Sequence, residues 1–267
     1  GTGEMVQDVG PNPANFGTIV ADIGEFAADP NNGWFFWLQA DGTTIVNDFD
    51  EYPTFRTFGG NVNSFFQFGK PIVAKNMLID NNVTFQVAYD LTIDSLVRIG
   101  GNQEGFIEFI NTSGTSGANV TLETDYIDME GGADSDPNSI TVEAAGNYTH
   151  TLKVNKNIEF NNGTTFDLFS GAATTNVILE LAGDGNHSIT DNTAGITMDL
   201  YKILMNKGSN TSNSFTIPEN FTIALPSTSG VQPIEILNGT LILNNAGIDV
   251  TLTDAARGNY LLPNLDN

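Results

Sequence analysis

Apolar and polar residues alternate with a period of two along most of this chain. The clearest run is Val83, Phe85, Val87, Tyr89, Leu91 and Ile93, with Thr84, Gln86, Ala88, Asp90 and Thr92 between them. Successive side chains of a strand point to opposite faces, so the run predicts a half-buried strand, or two strands in sequence. Shorter alternations follow at Val120/Leu122, Ile127/Met129, Ile140/Val142, Leu152/Val154, Ile158/Phe160 and Val177/Leu179/Leu181. Others lie at Phe215/Ile217, Phe221/Ile223/Leu225, Ile234/Ile236, Leu241/Leu243 and Ile248/Val250/Leu252. Asn-Gly, Gly-Gly and Asn-Asn pairs separate most of them. No stretch holds a 3.6-residue period over three turns. Residues 197–205 come nearest, and Ile203/Met205 there also reads as strand. The expected class is all-β.

A second pattern is Asn-x-Thr followed by an apolar residue. It occurs at Asn82-Val83-Thr84-Phe85, Asn119-Val120-Thr121-Leu122, Asn220-Phe221-Thr222-Ile223 and Asn238-Gly239-Thr240-Leu241, with looser copies at Asn147 and Asn162. Asn tolerates the left-handed conformation of a corner, so the motif predicts a corner entering a strand, with Thr outward and the next residue inward. Its irregular recurrence fits a repeat of about 18–25 residues with insertions. Short strands joined by corners, without crossover helices, point to a right-handed parallel β-helix over residues 61–267. There each turn stacks about 4.8 Å from the last and lines the interior with apolar ladders. Residues 1–60 differ, holding Trp34, Trp37, Pro11, Pro13, Pro30 and Pro53. They are expected to form an N-terminal cap over the open end, or a small separate β region.

Composition narrows the setting. Asn, Thr and Gly number 32, 29 and 28 of 267 residues, and charged residues make up only 15%, so the surface is neutral and polar. The net charge of −23 excludes the basic footprint that nucleic acid requires. With no Cys, disulfides and thiolate metal sites are excluded. No apolar run approaches the roughly 20 residues of a membrane-spanning helix. The chain carries no signal peptide at Gly1 and is expected to be a processed protein or a piece of a longer one.

From about Gly59 to Asp254 the sequence resembles the large repetitive surface proteins of Bacteroidota exported by the type IX secretion system. Three segments carry the resemblance: Asn76-Met77-Leu78-Ile79-Asp80-Asn81-Asn82-Val83-Thr84-Phe85, Tyr201-Lys202-Ile203-Leu204-Met205-Asn206-Lys207-Gly208, and Ile236-Leu237-Asn238-Gly239-Thr240-Leu241-Ile242-Leu243. It implies a β-helical stalk, adhesin or gliding-related module on the bacterial cell surface. Its partners would be other segments of the same protein, cell-surface components or glycans. Asp94-Ser95-Leu96 also matches the sequence at which these bacteria O-glycosylate exported proteins, which makes Ser95 the glycosylation candidate.

Catalytic signatures are sparse. A polysaccharide lyase or glycoside hydrolase on this architecture would place acids on one exposed strand face, and Asp90, Asp94, Asp125 and Asp128 are the candidates. The competing reading is an acidic, solvated wall. The Asn-Thr-Asp, Asp-Asp and Gly-His-Gly signatures of polygalacturonase-like enzymes do not occur. Of the three arginines, Arg56, Arg98 and Arg257, only Arg98 falls in the middle of the expected helix. His150 and His187 show no metal or triad spacing and are read as satisfied surface or turn histidines. No cofactor is expected, with calcium the one ion the oxygen-rich composition favours. Asp134 and Asp136, in Asp134-Ser135-Asp136-Pro137-Asn138-Ser139, are its weak candidate ligands. The leading expectation is a non-catalytic extracellular structural or adhesive module.

Overall fold

In the computed structural model, the described residues are 19–22, 33–35, 55–58, 64–68, 71–80, 82–101, 103–130, 138–161, 164–171, 174–192, 196, 198–218, 220–223, 232–243 and 250–252. They are nearly all β. The named strands pair only in parallel, within a nearly closed, barrel-like arrangement around one apolar interior, and there is no α-helix among the described residues.

The strands fall into columns. One contains β1 (Ile19–Asp22), β3 (Phe55–Phe58), β5 (Ile72–Ile79), β7 (Leu91–Ile99), β9 (Thr121–Met129), β11 (Thr149–Val154), β14 (Asn176–Leu181), β17 (Lys202–Asn206) and β20 (Ile234–Asn238). A second contains β2 (Gly33–Phe35), β4 (Ser64–Phe68), β6 (Val83–Val87), β8 (Gly105–Phe109), β10 (Asn138–Val142), β13 (Thr164–Asp167), β16 (Met198–Leu200), β19 (Phe221–Ile223) and β22 (Val250–Leu252). The chain alternates between these two columns from β1 to β11. From β11 onward a third strand enters each pass: β12 (Ile158–Phe160), β15 (His187–Asp191), β18 (Ser214–Ile217) and β21 (Thr240–Leu243).

The third column has its origin in a bend. The pairing of β5, β7 and β9 shifts register in mid-strand, so that Asp94 and Ser95 together face the single residue Asp125. The halves of β9 then pair separately, Thr121–Thr124 with β11 and Ile127–Met129 with β12. One extra residue bends a strand. In the next pass the bend widens into the Asn155-Lys156-Asn157 corner, and β11 and β12 are distinct strands.

Inward positions stack in register. One ladder runs Ile72, Leu91, Leu122, Leu152, Leu179, Ile203, Ile234, all at most 5% exposed. In the second column the backbone register runs Phe66, Phe85, Ile107, Ile140, Phe166, Met198, Phe221, Val250, and the side chains from Phe85 to Met198 in this row are buried. Burying each large apolar side chain contributes roughly 1.5–3 kcal/mol, so these ladders dominate the stability. Phe68 against Phe85 and Phe160 against Phe166 add edge-on ring contacts at 5.3 and 5.6 Å.

The spacing in the first ladder is 19 residues from Ile72 to Leu91 and 31 from Leu91 to Leu122. That upper value exceeds the expected 18–25 because corners absorb residues outside the strands. The 3-10 turn Thr112–Gly114 between β8 and β9 is one such insertion. The long 83–93 alternation is two strands, β6 and the start of β7. Ala88-Tyr89-Asp90 forms the corner, and Tyr89 is only half-buried.

The corners explain the abundance of Asn. Asn82 is the one non-glycine residue among the described ones with positive φ, at 61°. Its motif places Thr84 outward and Phe85 fully inward. Elsewhere the Asx side chain reaches the neighbouring pass. Asp90 accepts from the Thr121 amide (2.8 Å), Asn119 from Thr149 (3.0 Å), Asn157 from Ser188 (2.9 Å) and Asn186 from Ser214 (3.0 Å). Each satisfies a backbone donor at a strand entrance, where the parallel ladder leaves one over.

The expected 1–60 region is described only at β1, β2 and β3, which continue the two columns in parallel. The remainder of that region lies outside the described residues.

Candidate functional site

The acids singled out from the sequence are placed in structural contacts. Asp90 lies in the corner before β7 and holds the Thr121 amide. Asp94 sits exposed in the β7 bend opposite Asp125, and Asp125 pairs with Lys156 at 2.7 Å. Asp128 pairs with Arg98 at 3.1 Å and accepts from Asn161 at 3.0 Å, while Arg98 also reaches Glu130 at 3.5 Å. The bend therefore brings Asp94 and Asp125 together and keeps Asp90 and Asp128 in separate networks. Ser95 is half-exposed in the same bend. The calcium candidates Asp134 and Asp136 lie outside the described residues. Among the described residues no group of three or more His, Asp or Glu side chains is placed to hold a metal ion.

Charge is divided between the outer surfaces. Cations on the first column are matched to acids across passes, as in Arg98–Asp128, Lys153–Glu123 (2.8 Å) and Lys202–Glu235 (2.5 Å). The outer face of the second column holds no described Lys or Arg. One outward row there runs Phe65, Thr84, Phe106, Ser139, Thr165, and a second runs Gln86, Glu108, Thr141. Gln86 donates to Glu108 at 3.1 Å. Burial pushes the Glu108 carboxyl above the usual carboxylate range, and Glu143 nearby adds to the rise. Further along, Asp167 and Asp199 stand in register on β13 and β16. Two residues beyond each, Phe169 and Tyr201 stack at 6.4 Å with rings 4° from parallel. Burial raises the Asp167 carboxyl, the Phe169 amide bonded to it opposes the rise, and the facing Asp199 adds to it. Phe65 at the far end of this face is 40% exposed. The result is a strip of hydroxyls, amides and carboxylates with the exposed Phe65 at one end and the Phe169–Tyr201 pair, Tyr201 packed against the core, at the other.

This strip was not evident from the sequence. Asp167 and Asp199 are 32 positions apart and become neighbours only through the register. The available signal was the shared Asp-Leu-aromatic order of Asp167-Leu168-Phe169 and Asp199-Leu200-Tyr201.

The histidines divide. His187 is at the surface, its Nε2 2.7 Å from the Asp184 carbonyl oxygen, as a turn histidine would be. His150 differs from the surface reading. It is fully buried, in phase with Leu152 and Val154 on the inward face of β11, with its ring between Phe109 and Tyr148. Its Nδ1 accepts from the Val120 amide at 3.0 Å, which leaves Nε2 to donate to the Ile110 carbonyl at 2.9 Å. Both bonds belong to the neutral ring, and burial holds its pKa below the ordinary histidine value.

Lys207 is also fully buried. Its Nζ donates to the Ala182 carbonyl at 2.5 Å and lies 5.8 Å from the centre of the Phe215 ring. A side chain at Gly239 would strike the Lys207 stem, its Cβ falling 2.6 Å from Lys207 Cβ. Burial pushes the amine down to about 8, with Asp184 opposing the shift. The Asn213 amide ties this corner to both Asp184 and the Lys207 carbonyl.

No family model, no curated protein and no solved structure matches this chain.

Proposed function

We propose that the chain is a non-catalytic structural or adhesive module of a bacterial surface protein. Its parallel columns wind as a right-handed β-helix, capped by residues 1–60 and belonging to the Bacteroidota surface proteins exported by the type IX route. The observation that carries this reading is the unbroken parallel register of the second column from Phe66 to Val250, with the side chains from Phe85 to Met198 in that row buried. A chain that adds one parallel rung per pass builds a stiff spacer, and its outer faces are free to carry contacts. The acids first suspected of chemistry support the same reading, since Asp90, Asp125 and Asp128 hold backbone amides or cations of adjacent passes. Attachment to glycans or other surface components falls to the cation-free strip with Phe65 and Phe106. Ser95 in the exposed bend is the glycosylation site.

The test is binding of the purified chain to immobilised bacterial and host glycans. Binding weakened by Phe65→Ala and Phe106→Ala, but unchanged by Asp125→Asn, supports the reading. No binding by folded protein to any surface tested would remove the adhesive half of it.

A second reading, a polysaccharide-cleaving enzyme, is favoured by one observation: the in-register Asp167–Asp199 pair with one carboxyl raised. Release of reducing ends or unsaturated sugars, abolished by Asp167→Asn or Asp199→Asn, would establish it.

A further inference from the structure

The interior ladders end abruptly at the last described pass. Met205, Phe215 and Ile217 are fully buried. The rungs paired with Met205 and Ile217 are Ile236 and Leu243, 43% and 42% exposed. Leu237 and Ile242 beside them are 60% and 36% exposed. Apart from Phe65, these four are the exposed large apolar side chains of the described residues. Three strand edges also end here together. Among the described residues β20, β21 and β22 each pair on one side only. In a chain of net charge −23, the sequence from Ile236 to Ile248 contains no charged residue. Glu235, the acid just before it, is neutralised by Lys202.

We infer that this end face is a self-association surface. Two copies meet end to end about a twofold axis, with β20 and β21 of one lying antiparallel to the same strands of the other. Whatever covers the face has to supply strand edges as well as apolar side chains, because among the described residues β20 and β21 have no strand on their outer side, beside the exposed rungs. A second copy supplies both at matched length, and a twofold interface is self-complementary by construction. The uncharged run from Ile236 to Ile248 lets two strongly acidic chains approach here without facing carboxylates from that segment. Such pairing at the end face does not depend on whether the outer strip binds glycans. It adds a means of joining modules into longer assemblies.

The experiment is sedimentation velocity of the full chain from 1 to 200 µM, paired with hydrogen exchange read over residues 234–243. The expected result is a concentration-dependent species of twice 28.6 kDa, with slowed exchange at the higher concentration. Leu237→Glu with Leu243→Glu should shift the midpoint at least tenfold, with the circular dichroism spectrum unchanged. If that variant misfolds, the wild-type concentration dependence of exchange decides alone. A monomer at all concentrations overturns the inference in either form. Fast exchange would mean that the edge stays open, and slow exchange that another part of the same chain covers it.

Discussion

The buried Lys207 gives a sharp prediction. Among the described residues its Nζ donates to the Ala182 carbonyl and lies over the Phe215 ring, with the Asp184 carboxylate near enough to favour the charged form in part. Burial lowers its pKa from the ordinary 10.5 to about 8. The unfolded chain therefore holds one more proton than the folded chain between about pH 8 and 10.5, and stability must rise with pH across that window. A drop of that size corresponds to about 3 kcal/mol, from 1.36 kcal/mol per pH unit. Below pH 8 both states are charged and the full cost is present; above 10.5 it is gone. Lys207→Met keeps the stem and removes the amine, leaving the Ala182 carbonyl unpaired at a cost of about 1–3 kcal/mol that does not vary with pH. The assay is urea unfolding of wild type and variant at pH 7, 8, 9, 10 and 10.5. The wild-type value minus the variant value should climb by about 3 kcal/mol from pH 7 to 10.5, while titration of the other groups cancels in the difference. A flat difference would refute the reasoning and show that Lys207 is solvated in the folded protein.

Other outcomes follow from the same contacts. His150 is held neutral with a lowered pKa, so the unfolded chain takes up a proton first as pH falls through about 6.5. Stability should fall from there toward the folded pKa, and His150→Ala should flatten that fall in denaturant titrations. Phe166→Ala removes a fully buried rung and should cost about 3–5 kcal/mol by chemical denaturation, while Thr165→Ala on the opposite face should change stability by less than about 0.5 kcal/mol. Asp90→Ala strands the Thr121 amide and should cost about 1 kcal/mol, and Asp90→Asn, which keeps an acceptor there, should cost less.

Much of the strand content was legible because alternation is a local signal. Leu152/Val154, Val177/Leu179/Leu181 and Phe215/Ile217 all point inward as the period requires. The Asn-x-Thr corners were legible for a related reason, since Asn82 adopts the backbone conformation that Asn favours there. What stayed hidden depends on pairing between passes. Nothing local distinguishes Asp128, held by Arg98 of the preceding pass, from Asp199, which faces another acid. Lys207 was hidden because lysine is rarely enclosed, and its enclosure is built by Phe215 and Gly239 from later in the chain. His150 could have been found: counting back by two from Val154 and Leu152 places it inside. The alternation that puts Asp90 and Asp94 on one outward face holds as far as Asp94, and the register break follows at Ser95-Leu96, so what local pattern could not show is that Asp90 is committed to the Thr121 amide.

We propose that each pass adds one parallel rung along a single axis. The outward positions Thr92, Glu123, Lys153, Glu180, Leu204 and Glu235 lie on successive strands of one column. With no Cys in the chain, paired spin labels can be placed there without background. Electron–electron distance measurements should give backbone separations of about 19 Å for Glu123 to Glu235 and about 24 Å for Thr92 to Glu235, from roughly 4.8 Å per rung. A separation that grows by that increment with each strand crossed is the predicted result. Distances that fail to grow with the number of strands between the labels would contradict the account.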